Sequence, residues 1–280
     1  DMRLDRAKIG VLVQATGRYI ELAEKLLVSM REHFLLERRS MTFAWLMTDD
    51  YGVEYLQRSE KIEAVHLNPN YPQKISCHII LSDQEPWPLP ALLKYRYWLD
   101  CCEKWQHMDY VFIFDADLLL VGDVGDEIFG DGITAVRHSM FWQADDSAWL
   151  AGPEGPFEQD MNRTLAWVQP EHRRRWYDAS VVGGTREAFY NMANRIANRT
   201  RDDLGRGVWP TWWDESYLNA YLSAIPPAVA LPPGYAWRSN ATGGSVQERI
   251  VVVDKDSDAF RRAPLARPRR AGIAPSRPSA

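Results

Sequence analysis

Apolar runs alternate with amphipathic stretches along the first part of the chain, which is the pattern of a sheet flanked by helices. Lys8–Val13 and Met41–Met47 have the continuous apolar pattern of buried strands, and apolar positions between them repeat at helical spacing as far as Phe34. Lys61–Leu67 has the pattern of a third strand. Strand, helix and strand in this order predict a parallel α/β sheet.

The middle of the chain contains the strongest predicted strand, Tyr110–Phe114, which ends abruptly at Asp115. A proline cluster at Pro86–Pro90 opens a predicted helix before it. The apolar stripe of that helix consists of Leu92, Tyr95, Leu99, Cys102 and Trp105. Strands are also predicted at Ile133–Arg137 and Val181–Gly184, and helices at Arg186–Ala197 and from about Asp214. Residues 140–176 lack periodicity, which predicts an irregular wall or lid of an active site.

Charge divides the chain into an acidic body and a basic tail. The 280 residues carry a net charge of −5, and six arginines without any acid in the last 20 residues leave −11 on the rest. We predict one α/β domain over residues 1–262 and a disordered tail rich in proline and arginine over residues 263–280. An acidic body argues against a nucleic-acid partner, because phosphates require a basic face.

Two further absences in the sequence narrow the class of protein. No apolar stretch approaches the ~20 residues of a membrane span, so no integral membrane segment is expected. The three cysteines form no disulfide framework or CxxC pair, and the first residues contain no apolar run of the signal-peptide type. A cytoplasmic location is therefore expected.

The leading candidate for chemistry is the acidic pair Asp115 and Asp117, at the carboxyl end of the strongest strand. Ligands of open α/β sheets bind at that edge, and two carboxylates on a turn can face one hard cation such as Mg²⁺ or Mn²⁺. The structural alternative is a turn that ends a strand, where aspartate is common. A phosphatase-type DxDx[TV] nucleophile loop is disfavoured, because Leu119 stands where that motif has threonine or valine.

A second candidate lies at the predicted helix start Trp212-Trp213-Asp214-Glu215-Ser216. Asp214 and Glu215 precede Leu218 by four and three residues, so both lean toward the buried side of the helix. Flat indole rings can stack on sugar faces, but acids also suit a helix N-terminus and tryptophan also suits a core.

Weaker candidates are the small-residue segment before Gly183-Gly184 and the lone His138. The small residues would let a ligand approach the backbone, or would simply form a junction between strand and turn. His138 ends a predicted strand on the same edge of the sheet, where it is either functional or a satisfied polar residue.

In this order, the acidic pair, the small-residue–Gly-Gly stretch and Trp-x-Asp-Glu-Ser resemble glycosyltransferase family 6. That family includes the histo-blood-group A and B transferases and the α-1,3-galactosyltransferases. The resemblance implies a GT-A fold, which is an α/β fold with a mixed central sheet flanked by helices. It also implies a retaining hexosyltransferase that moves galactose or N-acetylgalactosamine from a UDP-sugar to a β-galactoside acceptor, forming an α-1,3 linkage.

The resemblance assigns roles to individual residues of this chain. It implies a uridine pocket at Gln14, Ala15, Thr16 and Tyr19, and a Mn²⁺ (or Mg²⁺) site at Asp115 and Asp117. Donor contacts are implied at Lys94, Asp214, Ala179 and Ser180, the catalytic group at Glu215, acceptor contacts at His138, Trp212 and Glu215, and basic groups over the diphosphate at Lys255 and Arg261.

Two positions depart from the family pattern. Lys94 stands where the family has an arginine, and a point charge recognises hydroxyl groups differently from a planar fork. Asp178-Ala179-Ser180 matches no donor triplet typical of either sugar. Two alternatives stay open: a non-catalytic protein that binds carbohydrate or nucleotide sugar with its twelve tryptophans as stacking platforms, and a GT-A transferase with a different donor.

Overall fold

The computed structural model describes residues 6–36, 41–60, 75–242 and 245–255. Its strands are β1 Lys8–Gln14, β2 Met41–Thr48, β3 Ile75–Leu81, β4 Tyr110–Phe114, β5 Leu118–Leu120, β6 Ile133–Arg137, β7 Tyr177–Thr185, β8 Val229–Leu231, β9 Trp237–Arg238 and β10 Ile250–Val252. Its α-helices are α1 Ile20–His33, α2 Asp50–Leu56, α3 Leu89–Leu92, α4 Lys94–Asp100, α5 Cys102–Trp105, α6 Ala148–Ala151, α7 Arg186–Gly205 and α8 Trp213–Ala224. The predicted strand Lys61–Leu67 and the predicted tail lie outside the described residues.

The central sheet has seven strands in the order β3-β2-β1-β4-β7-β6-β8. The strands from β3 to β4 are parallel, whereas β7 is antiparallel to both β4 and β6. The sheet is therefore mixed, as the family resemblance implies, and not wholly parallel. Apolar runs cannot separate these cases, because strands covered on both faces have the same pattern in either orientation.

Alternate residues of the central strands supply two apolar layers. Val11 packs with α1 on one face of the sheet, while Leu12 packs with α4, α7 and α8 on the other. Successive strand side chains point to opposite faces, so one apolar run serves both layers. With both faces covered, residues at the strand ends remain to form a ligand site.

The predicted helix after the proline cluster is divided into three short helices, α3, α4 and α5. The chain leaves helical geometry at Leu93 and Cys101, whose ψ angles are 1° and 28°. The apolar stripe is nevertheless found as predicted, with Leu92, Tyr95 and Trp105 buried. The break at Leu93 makes Lys94 the first residue of α4.

Strand β3 was not predicted from the pattern. It pairs in parallel with β2 at the edge of the described sheet, and its side chains vary between buried and exposed without regular alternation. Polar Ser76 and His78 also interrupt its apolar sequence. Helix α7 was predicted at the correct start but extends eight residues beyond the predicted end.

The glycine pair is explained by strand packing and not by ligand approach. A Cβ on Gly183 would collide with the Phe112 ring and the Val111 carbonyl of neighbouring β4. Gly184 has a φ of +144°, and a Cβ there would collide with the carbonyl of Gly132. Both residues lie inside β7 and neither lines the main cavity.

A second sheet, β5-β10-β9, connects the segment after the acidic pair to the last described residues. Strand β10 is antiparallel to β5 and parallel to β9, and the Val253 amide donates to the Asp117 carbonyl at 2.8 Å. This small sheet places Arg238 and Lys255 at the edge where β4 ends. Among the described helices, none is long and apolar enough to cross a membrane.

Candidate active site

A cavity of about 580 Å³ opens at the carboxyl ends of β1 and β4. Of the sequence-predicted site residues, it is lined by Gln14, Thr16, Tyr19, Lys94, Asp115, Asp117, His138, Ala179, Ser180, Trp212, Asp214, Glu215 and Lys255. Ala15 is buried behind this lining, where its amide donates to the Met47 carbonyl at 2.8 Å. Arg261 lies outside the described residues. The fold therefore gathers into one cavity side chains that are far apart in sequence.

The turn after β1 is held by the end of β2. Asp49 accepts from the Gly17 amide at 2.8 Å and from the Gly52 amide at 3.0 Å, so one carboxylate fixes both this turn and the start of α2. The Thr48 hydroxyl donates to the Ala15 carbonyl at 2.7 Å. Gly17 has a φ of +59°, a conformation that favours glycine. These bonds position Thr16 and Tyr19 at the cavity.

Lys94 joins the acidic pair to the start of α8. Its Nζ lies 2.9 Å from Asp115 Oδ1, 2.7 Å from Asp214 Oδ2 and 3.5 Å from the Ala179 carbonyl oxygen. Burial alone would lower the pKa of Lys94, but the carboxylates of Asp115 and Asp214 raise it well above its ordinary value. The ammonium is therefore charged, and its three N–H donors face three protein acceptors.

Lys255 forms the corresponding contact with the second acid. Its ammonium pairs with the Asp117 carboxylate and lies 5.5 Å from the centre of the Tyr19 ring. Lys255 thus contacts both the segment after β1 and the turn after β4. This contact joins the two regions that were predicted to bind the uridine and the diphosphate.

Glu215 is held by two N–H donors. Trp176 Nε1 donates to Oε1 at 2.7 Å, and the Ala179 amide donates to Oε2 at 3.1 Å. Burial, with a further contribution from Asp178, raises the pKa of Glu215 to about 8. The carboxyl group is thus fixed in orientation, and its charge changes near neutral pH.

Asp178 is fully buried beside Glu215 and paired with Arg238. Arg238 Nη2 donates to Asp178 Oδ2 at 2.9 Å, and both the amide and the hydroxyl of Ser180 donate to Oδ1. Burial would raise the pKa of Asp178, but Arg238 and His138 lower it below its ordinary value. Sequence reasoning missed Arg238, which lies on a two-residue strand without any periodic pattern.

His138 lies against both of these carboxylates. Its Nε2 is 3.5 Å from Asp178 Oδ2 and 3.7 Å from Glu215 Oε1, and its ring stacks on Phe141 with centroids 4.7 Å apart. Burial lowers the pKa of His138 to about 4, although Asp178 opposes this effect. The imidazole is therefore neutral at physiological pH.

Aromatic side chains line the entrance of the cavity. The Trp212 side chain is 43% exposed, and the Trp87 and Trp213 rings meet edge to face at 4.7 Å. Met140 and Phe141 complete this apolar wall. Trp87 belongs to the proline cluster, for which the sequence pattern predicts only the start of a helix. Flat apolar rings beside buried polar groups suit the faces and hydroxyl groups of a sugar.

Two sets of side chains offer ligands for a metal ion. Asp115 and Asp117 give carboxylate oxygens that face the open cavity and already attract lysine ammonium groups, so they fit an oxygen-preferring divalent cation. Single ligand atoms of His138, Asp178 and Glu215 lie within 4.8 Å of one another. That second set fits less well, because Arg238 and N–H donors already bind its carboxylate oxygens.

Comparison with known proteins identifies the family of this chain. The sequence model of glycosyltransferase family 6 matches residues 2–262. The chain belongs to glycosyltransferase family 6. It is similar to human globoside alpha-1,3-N-acetylgalactosaminyltransferase 1, with 24% identity over 90% of this chain and 68% of the relative. It is also similar to the Escherichia coli O-antigen biosynthesis glycosyltransferase WbnI, with 22% identity over 90% of this chain and 97% of the relative.

A third relative is the rat histo-blood group ABO system transferase 1, which is 20% identical over 92% of this chain and 70% of its own length. The family predicted from the sequence is therefore confirmed, and the mixed sheet is consistent with the GT-A fold. The enzyme class is hexosyltransferase at the level of the family.

Proposed function

We propose that this family 6 enzyme transfers galactose or N-acetylgalactosamine from a UDP-sugar to a β-galactoside acceptor, forming an α-1,3 linkage with retention of configuration. The printed names of two relatives describe an α-1,3-N-acetylgalactosaminyltransferase and an ABO transferase, which supports this reaction class. The observation that carries the proposal is one cavity that joins an acidic pair at a strand end to a buried, oriented glutamate.

The nucleotide is proposed to bind along β1 and the acidic pair. Gln14, Thr16 and Tyr19 would contact the uridine, and Asp115 and Asp117 would hold the metal. When bound, Mn²⁺ or Mg²⁺ would neutralise charge on the diphosphate leaving group. Lys255 lies at this end of the cavity, so its ammonium can move from Asp117 to a phosphate oxygen. Arg261 is proposed to add a second cation there.

Glu215 is proposed to act on the anomeric carbon of the donor. Glu215 would be either a nucleophile or a stabiliser of a positively charged sugar, and each role requires the ionised carboxylate. The N–H donors from Trp176 and Ala179 support this role, because they fix both carboxyl oxygens and favour the anion. Since the pKa of Glu215 is raised to about 8, transfer should increase with pH through the neutral range.

The remaining residues are proposed to orient the two sugars. Asp214 would accept hydrogen bonds from donor hydroxyl groups, and Ala179 and Ser180 would line the donor sugar. Lys94 is predicted from the sequence to contact hydroxyl groups of the donor sugar. In the structure its ammonium faces Asp115, Asp214 and the Ala179 carbonyl, so the contact with the sugar stays a prediction. His138 and Trp212 would contact the acceptor galactose.

The test is UDP release from UDP-galactose and from UDP-N-acetylgalactosamine with a β-galactoside acceptor, first in Mn²⁺ and then in EDTA. Metal-dependent release from one donor would support the proposal and identify the sugar. The Glu215→Gln variant should lose most turnover while its UDP affinity stays close to wild type. The Glu171→Gln variant is the control, since Glu171 does not line the cavity.

Three results would overturn parts of the proposal. Release that persists in EDTA would exclude an essential metal at Asp115 and Asp117. Full turnover in Glu215→Gln would remove Glu215 from the reaction. Absence of release with either donor, together with binding of sugar, would favour a different donor or a non-catalytic binding protein.

A further inference from the structure

We propose that Asp178 and Arg238 form a positioning pair that sets the ionisation of Glu215 and thereby the pH range of transfer. This inference rests on the proposed function, in which Glu215 must be ionised. Both residues line the cavity, and their proposed effect does not require contact with the reacting atoms. Their effect acts through Glu215.

The first support is the isolation of Asp178 from water. Its side chain has no exposed surface, although its carboxylate is charged, and it lies beside a second buried carboxyl group. A buried charge is stable only when it is paired and hydrogen-bonded. Arg238 and the two Ser180 donors supply that pairing. Asp178 therefore carries a fixed negative charge in a region with little solvent screening.

The second support is the short path from this pair to Glu215. The Ala179 amide, in the peptide that directly follows Asp178, donates to Glu215 Oε2 at 3.1 Å. His138 Nε2 lies between the two acids, 3.5 Å from one and 3.7 Å from the other. The charged groups that act on Glu215 are Asp178 on β7 and Arg238 on β9. Lys94 on α4, Asp115 after β4 and Asp214 on α8 line the same cavity.

The third support is that the two members of the pair act on Glu215 with opposite sign. Burial is the largest cause of its raised pKa, Asp178 raises the pKa further, and Arg238 lowers it. Lys94 is engaged by Asp115 and Asp214, and the neutral His138 adds little charge. Removal of one member of the pair therefore leaves a net charge beside Glu215, whereas removal of both does not.

The experiment measures kcat/KM for transfer between pH 5 and 9 in the wild-type 280-residue chain, Asp178→Asn, Arg238→Gln and the double variant. In the wild type the rate should rise with pH as Glu215 ionises. Asp178→Asn removes a negative charge, so the rising limb of its pH–rate profile should move to lower pH by about one pH unit. Arg238→Gln leaves Asp178 unpaired, so its limb should move to higher pH by a similar amount. The double variant should lie between the two.

Two controls separate this role from a merely structural one. Arg238→Lys keeps the positive charge, so its limb should stay near the wild-type position even if its rate is lower. The Arg137 and Asp145 side chains form another partly buried ion pair, 2.5 Å apart, and neither residue lines the cavity. Arg137→Gln and Asp145→Asn should leave the limb in place. A structural defect would lower the rate at every pH without moving the limb.

The proposal is overturned if the limb of Asp178→Asn and that of Arg238→Gln stay at the wild-type position or move in the same direction. Failure of the proposed function has a different signature. In that case the wild type shows no rising limb, or Glu215→Gln retains the wild-type pH profile. Circular dichroism at both ends of the pH range confirms that each variant compared is folded.

Discussion

Replacing Lys94 by methionine removes the ammonium that joins the turn after β4 to the start of α8. Methionine has a similar length and keeps the apolar part of the side chain. Asp214, which is almost fully buried, then loses the group that compensates its charge. Asp115 loses the same partner, but its side chain is 36% exposed and water can solvate it.

The expected loss of stability follows from this difference. Removal of one partner from a buried ion pair typically costs about 3–5 kcal/mol. Because water compensates the exposed side of Asp115, we expect a value near the lower end, about 3 kcal/mol. With a urea dependence of about 3 kcal/mol per M, the unfolding midpoint should fall by about 1 M.

The pH dependence of this loss identifies its cause. Burial raises the pKa of Asp214, and Lys94 opposes that effect in the wild type. Without Lys94, the folded-state pKa of Asp214 lies further above its unfolded value. The destabilisation is then complete above the folded-state pKa and is relieved as the pH falls through it, because the neutral acid needs no partner.

Urea unfolding followed by tryptophan fluorescence, at pH 7 and at pH 5, measures both effects. The Lys94→Met/Asp214→Asn double variant should be more stable than Lys94→Met at pH 7, since it leaves no buried charge at that point. Lys104→Met is the matched control, because Lys104 is exposed. A midpoint of Lys94→Met equal to wild type, or a loss of the same size at both pH values, would refute this reasoning.

Three further predictions address packing, the nucleotide and the acceptor. Gly183→Ala should lower the free energy of unfolding by about 1–3 kcal/mol, because the added Cβ collides with β4. Gly205→Ala, with open space around the added Cβ, should not, and equal urea midpoints of the two variants would contradict this prediction. Lys255→Met should weaken UDP binding about 10- to 100-fold, as expected for the loss of a charged hydrogen bond. Calorimetry measures this affinity, and an unchanged value would exclude Lys255 from the diphosphate site. Trp212→Ala should raise the KM for the acceptor about 3- to 10-fold and leave UDP affinity unchanged. Trp209 is equally exposed but does not line the cavity, so Trp209→Ala should leave this KM unchanged, and equal effects of the two variants would exclude stacking on Trp212.

The sequence alone determined the features that depend on local pattern. Five apolar residues followed by Asp115 predicted β4 and the turn after it, and both are found at those positions. The acids at the start of α8 also lie where the spacing to Leu218 predicts, with Asp214 buried. Together with the small-residue segment of β7, these motifs were sufficient to predict the family, because their order along the chain is itself sequence information.

Tertiary structure alone decided which charges meet. Arg238 and Asp178 are 60 residues apart, and Trp176 and Glu215 are 39 apart, so no local periodicity relates them. The antiparallel course of β7 brings Asp178 and Ala179 to the cavity, and β9 brings Arg238 to the same place. The charge state of Glu215 depends on this assembly, because burial and neighbouring charges exist only once the chain has folded.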